Sequence, residues 1–158
     1  MPQHPLLNIT MPVFNRLQTT QRTLLALHKY TRGYSVAITV VDNGSERELV
    51  QKLVEFRKAG IIDNLFLLPE NMGVSCAANI GWDAVDSPYY MKFDNDMLMT
   101  GPDVLRRLFA LWEYGDPVST LGPSWDPQNF AGEDTICGPE GKLGICRTNL
   151  GGDRKSVV

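Results

Sequence analysis

The sequence predicts an α/β fold, a mostly parallel open sheet with helices on both faces, and three observations support this prediction. Short apolar runs alternate with segments of helical periodicity over the first 96 residues. The second of these runs is rich in β-branched residues, which is typical of a buried strand in a sheet that helices cover on both faces. Polar turn residues follow the first, second and fourth runs, and ligands of open α/β sheets bind beyond the carboxyl ends of strands.

Two strand–helix pairs come first along the chain. Leu7–Val13 is predicted as a short strand and Thr19–Tyr30 as the helix that follows it. Ser35–Val41 is rich in β-branched residues, which favours a buried second strand. Ser45–Glu48 has the Ser-x-x-Glu pattern of a capping box, so we expect a helix that begins there and runs to about Lys58.

The remaining regular elements follow in the same alternation. Asn64–Leu68 is predicted as the third strand, Val74–Val85 as a helix that packs closely through small residues, and Tyr89–Phe93 as the fourth strand. A proline at the first turn predicts a helix over residues 102–112. Residues 118–121 are expected to form one more strand.

The character of the chain changes at Gly122, after which Pro, Gly, Asp and Asn recur without clear periodicity. Long loops with a short hairpin are expected there, and such stretches in compact domains are often functional. We therefore predict an α/β domain over residues 1–121 and an irregular segment of the same domain over residues 122–158.

Composition and charge narrow the classes of function. The chain has 158 residues, of which 43% are hydrophobic and 21% charged, as in one ordinary globular domain. A net charge of −3 without clustered Lys and Arg argues against nucleic-acid binding. No apolar run reaches the ~18–20 residues of a membrane span, and the first residues lack the pattern of a signal peptide. We expect a cytoplasmic protein whose three cysteines are free thiols, the alternative being a pairing of Cys137 with Cys146.

Two carboxylates, Asp94 and Asp96, come directly after the fourth predicted strand, with Asn95 between them. Hard oxygen ligands at a strand end suit Mg²⁺ or Mn²⁺, and such a cation would suit a diphosphate. The alternative is a plain acidic turn, because Asp and Asn are good turn residues.

Two other strand ends carry polar signatures that would lie along the same edge of a parallel sheet. They comprise Pro12, Phe14, Asn15 and Arg16 after the first strand, and Asp42 and Gly44 after the second. A nucleotide could lie across this edge, with Asp42 accepting a hydrogen bond from a base N–H and Arg16 offering charge to a phosphate. Gly44 would let the backbone approach closely. The alternative is that Asp42 to Ser45 form only a turn and a helix cap.

A fourth element is the entry to the third predicted helix. Asn71 and Gly73 lead into a helix N-terminus, which offers free N–H groups and the positive end of a helix dipole. Asn79 lies two turns further, on a face that could reach the nucleotide. The alternatives are a simple helix entry at Asn71–Gly73 and a satisfied buried amide at Asn79.

With these motifs in order, the sequence resembles the inverting family-2 glycosyltransferases, whose Rossmann-like nucleotide-sugar-binding fold is called the A type. The resemblance covers about residues 7–112. The matching motifs are Pro12–Arg16, Val41–Ser45, Glu70–Gly73, Ala77–Gly81 and Asp94–Asp96. The resemblance implies that residues 1–121 bind the donor and that residues 122–158 are an incomplete acceptor-side segment.

The resemblance also implies roles for individual residues. In the family, the aspartate that matches Asp42 contacts the base, usually uracil, and the one that matches Asp94 lies near the ribose or sugar. The one that matches Asp96 helps hold a divalent metal, and we take Asp94 and Asp96 together as the metal site. The implied activity is transfer of a sugar from a UDP-linked donor to an unknown acceptor with inversion, assisted by Mn²⁺ or Mg²⁺.

The sequence departs from the family pattern in two places. Glu46-Arg47 stands where the family often has Thr-Asp, which weakens a nucleotide contact expected there. Inverting transfer also needs a base for the acceptor hydroxyl, which the family supplies downstream of a Gly-rich segment that Thr148–Gly152 resembles. Glu133 and Asp134 are weak candidates because they precede that segment.

These departures lead us to expect a truncated chain that carries the donor half of the site. The alternative function is a non-catalytic nucleotide-binding module that lacks the acceptor site and the catalytic base. A nucleotidyltransferase would require a Gly-rich, basic phosphate loop near the N-terminus, and the sequence has none. Incomplete cover of the sheet further predicts self-association, as a homo-oligomer.

Overall fold

A computed structural model of the protein describes residues 5–113, 135–138 and 141–144. The chain divides into two compact units, Met1–Gly101 and Pro102–Val158, and each is described by itself below. The boundary between residues 121 and 122 that the sequence predicts lies outside the described residues.

Seven elements form the first unit and alternate between strand and helix, as predicted. They are β1 (Leu7–Val13), α1 (Leu17–Thr31), β2 (Val36–Asp42), α2 (Arg47–Lys58), β3 (Asn64–Leu67), α3 (Val74–Asp83) and β4 (Tyr89–Lys92). Each predicted element of this region is present, and the ends agree to within two residues, which is the usual uncertainty of helix and strand boundaries.

The four strands form one sheet in the order β3-β2-β1-β4, and every neighbouring pair is parallel. The chain steps from β1 to β2 to β3 in one direction, and α3 then carries it back to the other side of β1. Because crossovers between parallel strands are right-handed, this reversal places α3 on the face opposite α1 and α2. The predicted fold class is confirmed, and the reversal creates a crevice between the carboxyl ends of β1 and β4.

The core surrounds β1, in which every residue is buried. Its apolar side chains alternate with polar ones, so one face is apolar and the other carries Asn8 and Thr10. Asn8 Nδ2 donates to the backbone oxygen of Gly81 at 2.9 Å, and Thr39 Oγ1 donates to Asn8 Oδ1 at 2.8 Å. The polar residues that interrupt the first strand therefore tie the sheet to α3.

Gly81 allows α3 to pack directly on β1. A Cβ at this position would lie 2.2 Å from Thr10 Cγ2 and 2.8 Å from Thr10 Oγ1, closer than real contacts allow. The prediction that small residues on this helix pack closely against the sheet is therefore confirmed.

We expect Gly81→Ala to lower the free energy of unfolding by about 1–3 kcal/mol, because the added methyl overpacks a buried helix–sheet contact. Urea denaturation measures this loss. Gly101→Ala is the matched control, since a Cβ there meets nothing within 4 Å. Thr10→Ala in the Gly81→Ala background should recover part of the loss, and equal stability of Gly81→Ala and Gly101→Ala would contradict the packing argument.

The predicted capping box at the start of α2 is wrong. The helix begins at Arg47 with Glu46 as its N-cap residue, and no side chain of the described residues caps it. Ser45 is used instead in a tertiary contact, because its Oγ accepts a hydrogen bond from the backbone N–H of Asn15 at 2.8 Å. Its own N–H donates to Asp42 Oδ2 at 3.1 Å. A long-range partner has taken the hydroxyl that the local pattern assigned to the helix.

Three elements are described in the second unit. Helix α4 spans Asp103–Glu113, and strands β5 (Thr135–Gly138) and β6 (Gly141–Gly144) pair antiparallel. The pair confirms the short hairpin predicted after Gly122, whereas the strand predicted at residues 118–121 lies outside the described residues. In the parts of the chain that the structure describes, no helix has the length and apolar character needed to cross a membrane.

Candidate functional site

An open cleft of about 370 Å³ lies at the carboxyl edge of the sheet, where the order of the strands reverses. The loops after β1, β2 and β4 and the entry to α3 line this cleft. The lining residues are Pro12, Val13, Phe14, Arg16, Asn43, Asn71, Val74, Asp94, Asn95 and Asp96. Four loops that are distant in sequence thus meet at one place, as the strand-end argument predicts.

The structure divides the predicted site residues into three groups. Six of them line the cleft: Pro12, Phe14, Arg16, Asn71, Asp94 and Asp96. Four do not line it but are chain neighbours of lining residues, with Asp42 at the end of β2 and the others in loops: Asn15, Asp42, Gly44 and Gly73. Asn79 is exposed on α3 and does not line the cleft. The sequence reasoning did not assign four other lining residues to the site: Val13, Asn43, Val74 and Asn95. All of them except Val74 lie inside the motifs it quotes.

The loop after β1 has an unusual backbone that Asn15 fixes. Asn15 and Arg16 both have left-handed conformations, with φ of 56° and 61°. Asn tolerates this region, whereas Arg there costs of order 1–3 kcal/mol. The N–H of Glu46 donates to Asn15 Oδ1 at 3.0 Å, and the N–H of Asn15 donates to Ser45 Oγ at 2.8 Å. These bonds attach the β1 loop to the β2 loop and direct Arg16 toward the cleft.

The turn that carries the two aspartates is held from below by α1. Thr23 Oγ1 lies 3.1 Å from the carbonyl oxygen of Asn95 and 2.8 Å from that of Met97. Asn95 Nδ2 donates to Thr20 Oγ1 at 3.0 Å. Because both threonines are buried, the turn rests on a rigid support, and its carboxylates border the cleft.

Each of the two carboxylates has a cationic partner from the chain itself. Arg16 Nη1 donates to Asp96 Oδ2 at 2.6 Å, and both side chains are substantially exposed, at 62% and 49%. Lys92 forms an ion pair with Asp94, and its side chain is more buried, at 26% exposed. The predicted role of Arg16 as a phosphate contact stays a prediction, and its partner in this structure is a carboxylate.

The end of β2 places a carboxylate oxygen in a buried position, and no donor among the described residues reaches it. Asp42 is 1% exposed, and its Oδ2 accepts a hydrogen bond from the N–H of Ser45. Its Oδ1 has no hydrogen-bond partner among the described residues. An unpaired buried acceptor is costly, so a ligand N–H at this oxygen would be favourable.

The β2 loop and the entry to α3 are packed backbone against backbone. Gly44 has φ of +78°, and a Cβ there would lie 2.6 Å from the carbonyl carbon of Glu70. Asn43 and Asn71 form a bridge: Asn43 Nδ2 donates to Asn71 Oδ1 at 2.9 Å, and the N–H of Met72 donates to Asn43 Oδ1 at 2.8 Å. The close approach predicted for Gly44 is therefore made to the chain itself.

The sequence matches the model of the glycosyl transferase family 2 over residues 8–134. The chain belongs to this family. The match covers every loop that lines the cleft, and it extends beyond the range of residues over which the motifs showed the resemblance. A comparison with curated protein sequences finds no significant match.

Solved structures share the fold of this family-2 chain. The mannosyltransferase PcManGT from Pyrobaculum calidifontis, in complex with GDP-Man and Mn²⁺, has a TM-score of 0.58 and 20% identity, and the alignment covers 73% of this chain and 34% of that one. TarS residues 1–349 from S. aureus, in complex with UDP-GlcNAc, has a TM-score of 0.62 and 16% identity, covering 82% and 38%. The family-2 chain therefore spans well under half the length of these structures.

The carboxylates of the family-2 chain fit a divalent cation of the predicted kind, Mn²⁺ or Mg²⁺. Such ions are commonly held by one or two carboxylates together with substrate phosphates, and Asp94 and Asp96 provide two at the cleft. Among the described residues, no group of three or more His, Cys, Asp or Glu side chains could hold a metal ion.

The weak candidates for the catalytic base, Glu133 and Asp134, lie outside the described residues of the family-2 chain. Their role stays a prediction, as do the cytoplasmic location and the self-association.

Proposed function

We propose that this family-2 domain binds a UDP-linked sugar across the carboxyl edge of its sheet and transfers the sugar with inversion, with a divalent cation on the diphosphate. One observation carries the proposal: the cleft at the strand reversal is bordered by a basic residue, Arg16, and by the carboxylates Asp94 and Asp96. Opposite charges at one edge are what a diphosphate with its cation requires.

The base end of the donor would contact the apolar residues of the cleft lining. Phe14 and Val74 both line it, and they are 45% and 52% exposed, which is high for large apolar side chains. Apolar walls with a few polar groups are typical of small-molecule sites. Asp42, which directly precedes the lining residue Asn43, has a buried oxygen for which the described part of the chain supplies no donor, and a uracil N–H is a suitable donor for it. Because Asp42 is only 1% exposed, the residues around it would have to move before a uracil N–H could reach this oxygen.

The diphosphate end accounts for the remaining charged residues. A cation held by Asp94 and Asp96 would stabilise the negative charge that develops on the departing diphosphate. Arg16 would contact the phosphates, and the N-terminus of α3 would face them with its positive dipole end. The rigid support of Thr20 and Thr23 keeps the carboxylates in place while the sugar bond breaks.

Structural relatives support a nucleotide sugar as the ligand. TarS was solved with UDP-GlcNAc, and PcManGT was solved with GDP-Man and Mn²⁺. Uridine and guanosine both offer a ring N–H to an acceptor such as Asp42. Both classes of donor therefore belong in a binding experiment.

A nucleotide-binding module without transfer is the second candidate function, and one observation favours it. Inverting transfer requires a base for the acceptor hydroxyl. Among the described residues, the carboxylates that line the cleft are Asp94 and Asp96, and both are paired with cations of the chain. Glu133 and Asp134 are the proposed alternatives for the base.

Sensitive detection of product across a panel of UDP- and GDP-sugars and acceptors distinguishes the two functions. The transferase proposal predicts metal-dependent formation of a glycosylated acceptor, with slow release of free sugar to water as a weaker signal. Nucleotide binding without any product across the panel would favour the module. A panel in which no nucleotide binds would contradict both functions.

A further inference from the structure

The two ion pairs at the cleft differ in how firmly they are held. Lys92 extends from β4, and its side chain is 26% exposed, so its pair with Asp94 is partly shielded from water. In the Arg16–Asp96 pair both side chains are exposed to water, at 62% and 49%. Exposed pairs of this kind contribute little to stability, so Arg16 is the easier cation to remove.

The backbone of Arg16 is fixed although its side chain is exposed. Its left-handed φ of 61° and the hydrogen bonds of the adjacent Asn15 set the position of its Cα. The carbonyl oxygen of Arg16 accepts the N–H of Thr20 at 2.9 Å, which also anchors it to α1. The guanidinium can therefore move within the cleft by side-chain rotation alone, while the loop remains in place.

We propose that Arg16 is a displaceable counter-ion of Asp96: it neutralises this carboxylate when the site is empty, and it transfers to the diphosphate when a divalent cation takes its place. This inference rests on the proposed function, because it needs a diphosphate ligand at the cleft. The motivating observation is the 2.6 Å contact between Arg16 Nη1 and Asp96 Oδ2, across 80 residues of sequence, at the residue predicted to hold metal.

The exchange makes the two ligands depend on each other. A divalent cation that arrives alone must compete with the Arg16 charge for Asp96 and is repelled by it. A diphosphate offers Arg16 a second anion and thereby frees the carboxylate for the metal. The metal should therefore bind weakly by itself and more tightly with nucleotide, and by linkage the nucleotide should gain the same factor from the metal.

Mn²⁺ binding to the full chain, measured from the EPR signal of free Mn²⁺ with and without UDP, tests this exchange. We expect Arg16→Met to bind Mn²⁺ alone roughly fivefold more tightly than wild type, because the competing charge is gone. The same variant should bind UDP more weakly, and UDP should enhance its Mn²⁺ affinity less. Arg57→Met, an exposed change near the end of α2 away from the cleft, should match wild type in each titration.

A charge-conserving variant distinguishes the effect of the positive charge of Arg16 from the effect of packing by the aliphatic part of its side chain. Arg16→Lys should restore weak binding of Mn²⁺ alone toward the wild-type level. Unchanged Mn²⁺ affinity in Arg16→Met would overturn the exchange, and so would the absence of Mn²⁺ binding in that variant. A wild-type chain that does not bind UDP would contradict the proposed function. If Arg16→Met nevertheless gained Mn²⁺ affinity, the result would still show that Arg16 competes with the metal for Asp96.

Discussion

Gly44→Ala is expected to lower the free energy of unfolding by roughly 3 kcal/mol and to remove detectable nucleotide binding. Two costs combine at this position. An alanine at φ of +78° is strained, and its Cβ would lie 2.6 Å from the carbonyl carbon of Glu70 and 2.9 Å from the N of Asn71. These are backbone atoms, which cannot rotate aside. The loop before α3 must move away, and with it Asn71 and Val74, which line the cleft.

Gly60→Ala is the matched control for this change. Gly60 has a similar φ of +72°, and a Cβ there would meet nothing within 4 Å, so the control carries only the cost of the backbone conformation. Urea denaturation and calorimetric titration with UDP measure the two effects. An equal loss of stability in both variants would show that the contact with the Glu70 backbone is unimportant, and normal UDP binding by Gly44→Ala would contradict the role of this loop.

Asp96→Ala is expected to lower the affinity for Mn²⁺ by about 100-fold. As a result, Mn²⁺ should no longer strengthen the binding of UDP. Removal of residues that only support metal ligands already costs roughly 10–100-fold, and Asp96 is proposed as a ligand itself. The variant also leaves Arg16 without its carboxylate partner, so that its charge is available to a phosphate. Metal-free UDP binding should therefore persist or strengthen slightly.

Titrations with and without Mn²⁺ separate these two effects, and Asp86→Ala supplies the control. Asp86 is exposed and lies just before β4, at the end of that strand away from the cleft. Asp86→Ala therefore removes the same charge as Asp96→Ala, but from the opposite edge of the sheet. Wild-type behaviour is expected for it in both titrations. A titration of Asp96→Ala that matches wild type in the presence of Mn²⁺ would count against the assigned role.

Elements and strand ends were predictable because they depend on local pattern. Apolar runs, turn residues and helical periodicity are local properties, and they located Asp94 and Asp96 at the carboxyl end of a strand as the structure does. Ligands of open α/β sheets bind beyond the carboxyl ends of the strands, and this general rule predicted that the loops after β1 and β4 lie close together. The prediction did not need the order of the strands, which the structure supplies.

Side-chain partners were not predictable because they depend on the meeting of distant loops. Ser45 fits a local capping pattern, but Asn15, which lies 30 residues away, uses its hydroxyl. The pairing of Arg16 with Asp96 spans 80 residues and requires a left-handed backbone that the sequence does not signal. Asn79 faces outward because Ala77, Ala78 and Gly81 form the buried side of α3.

Calorimetric titration of the wild-type chain with UDP, with and without Mn²⁺, tests the central claim most directly. The account predicts saturable binding of one UDP per chain that Mn²⁺ strengthens, since the cleft is lined by two carboxylates for a shared cation and by Arg16 for the diphosphate. The absence of binding heat in the presence of Mn²⁺, at concentrations where the chain is folded, would contradict the assignment of this cleft as a donor site.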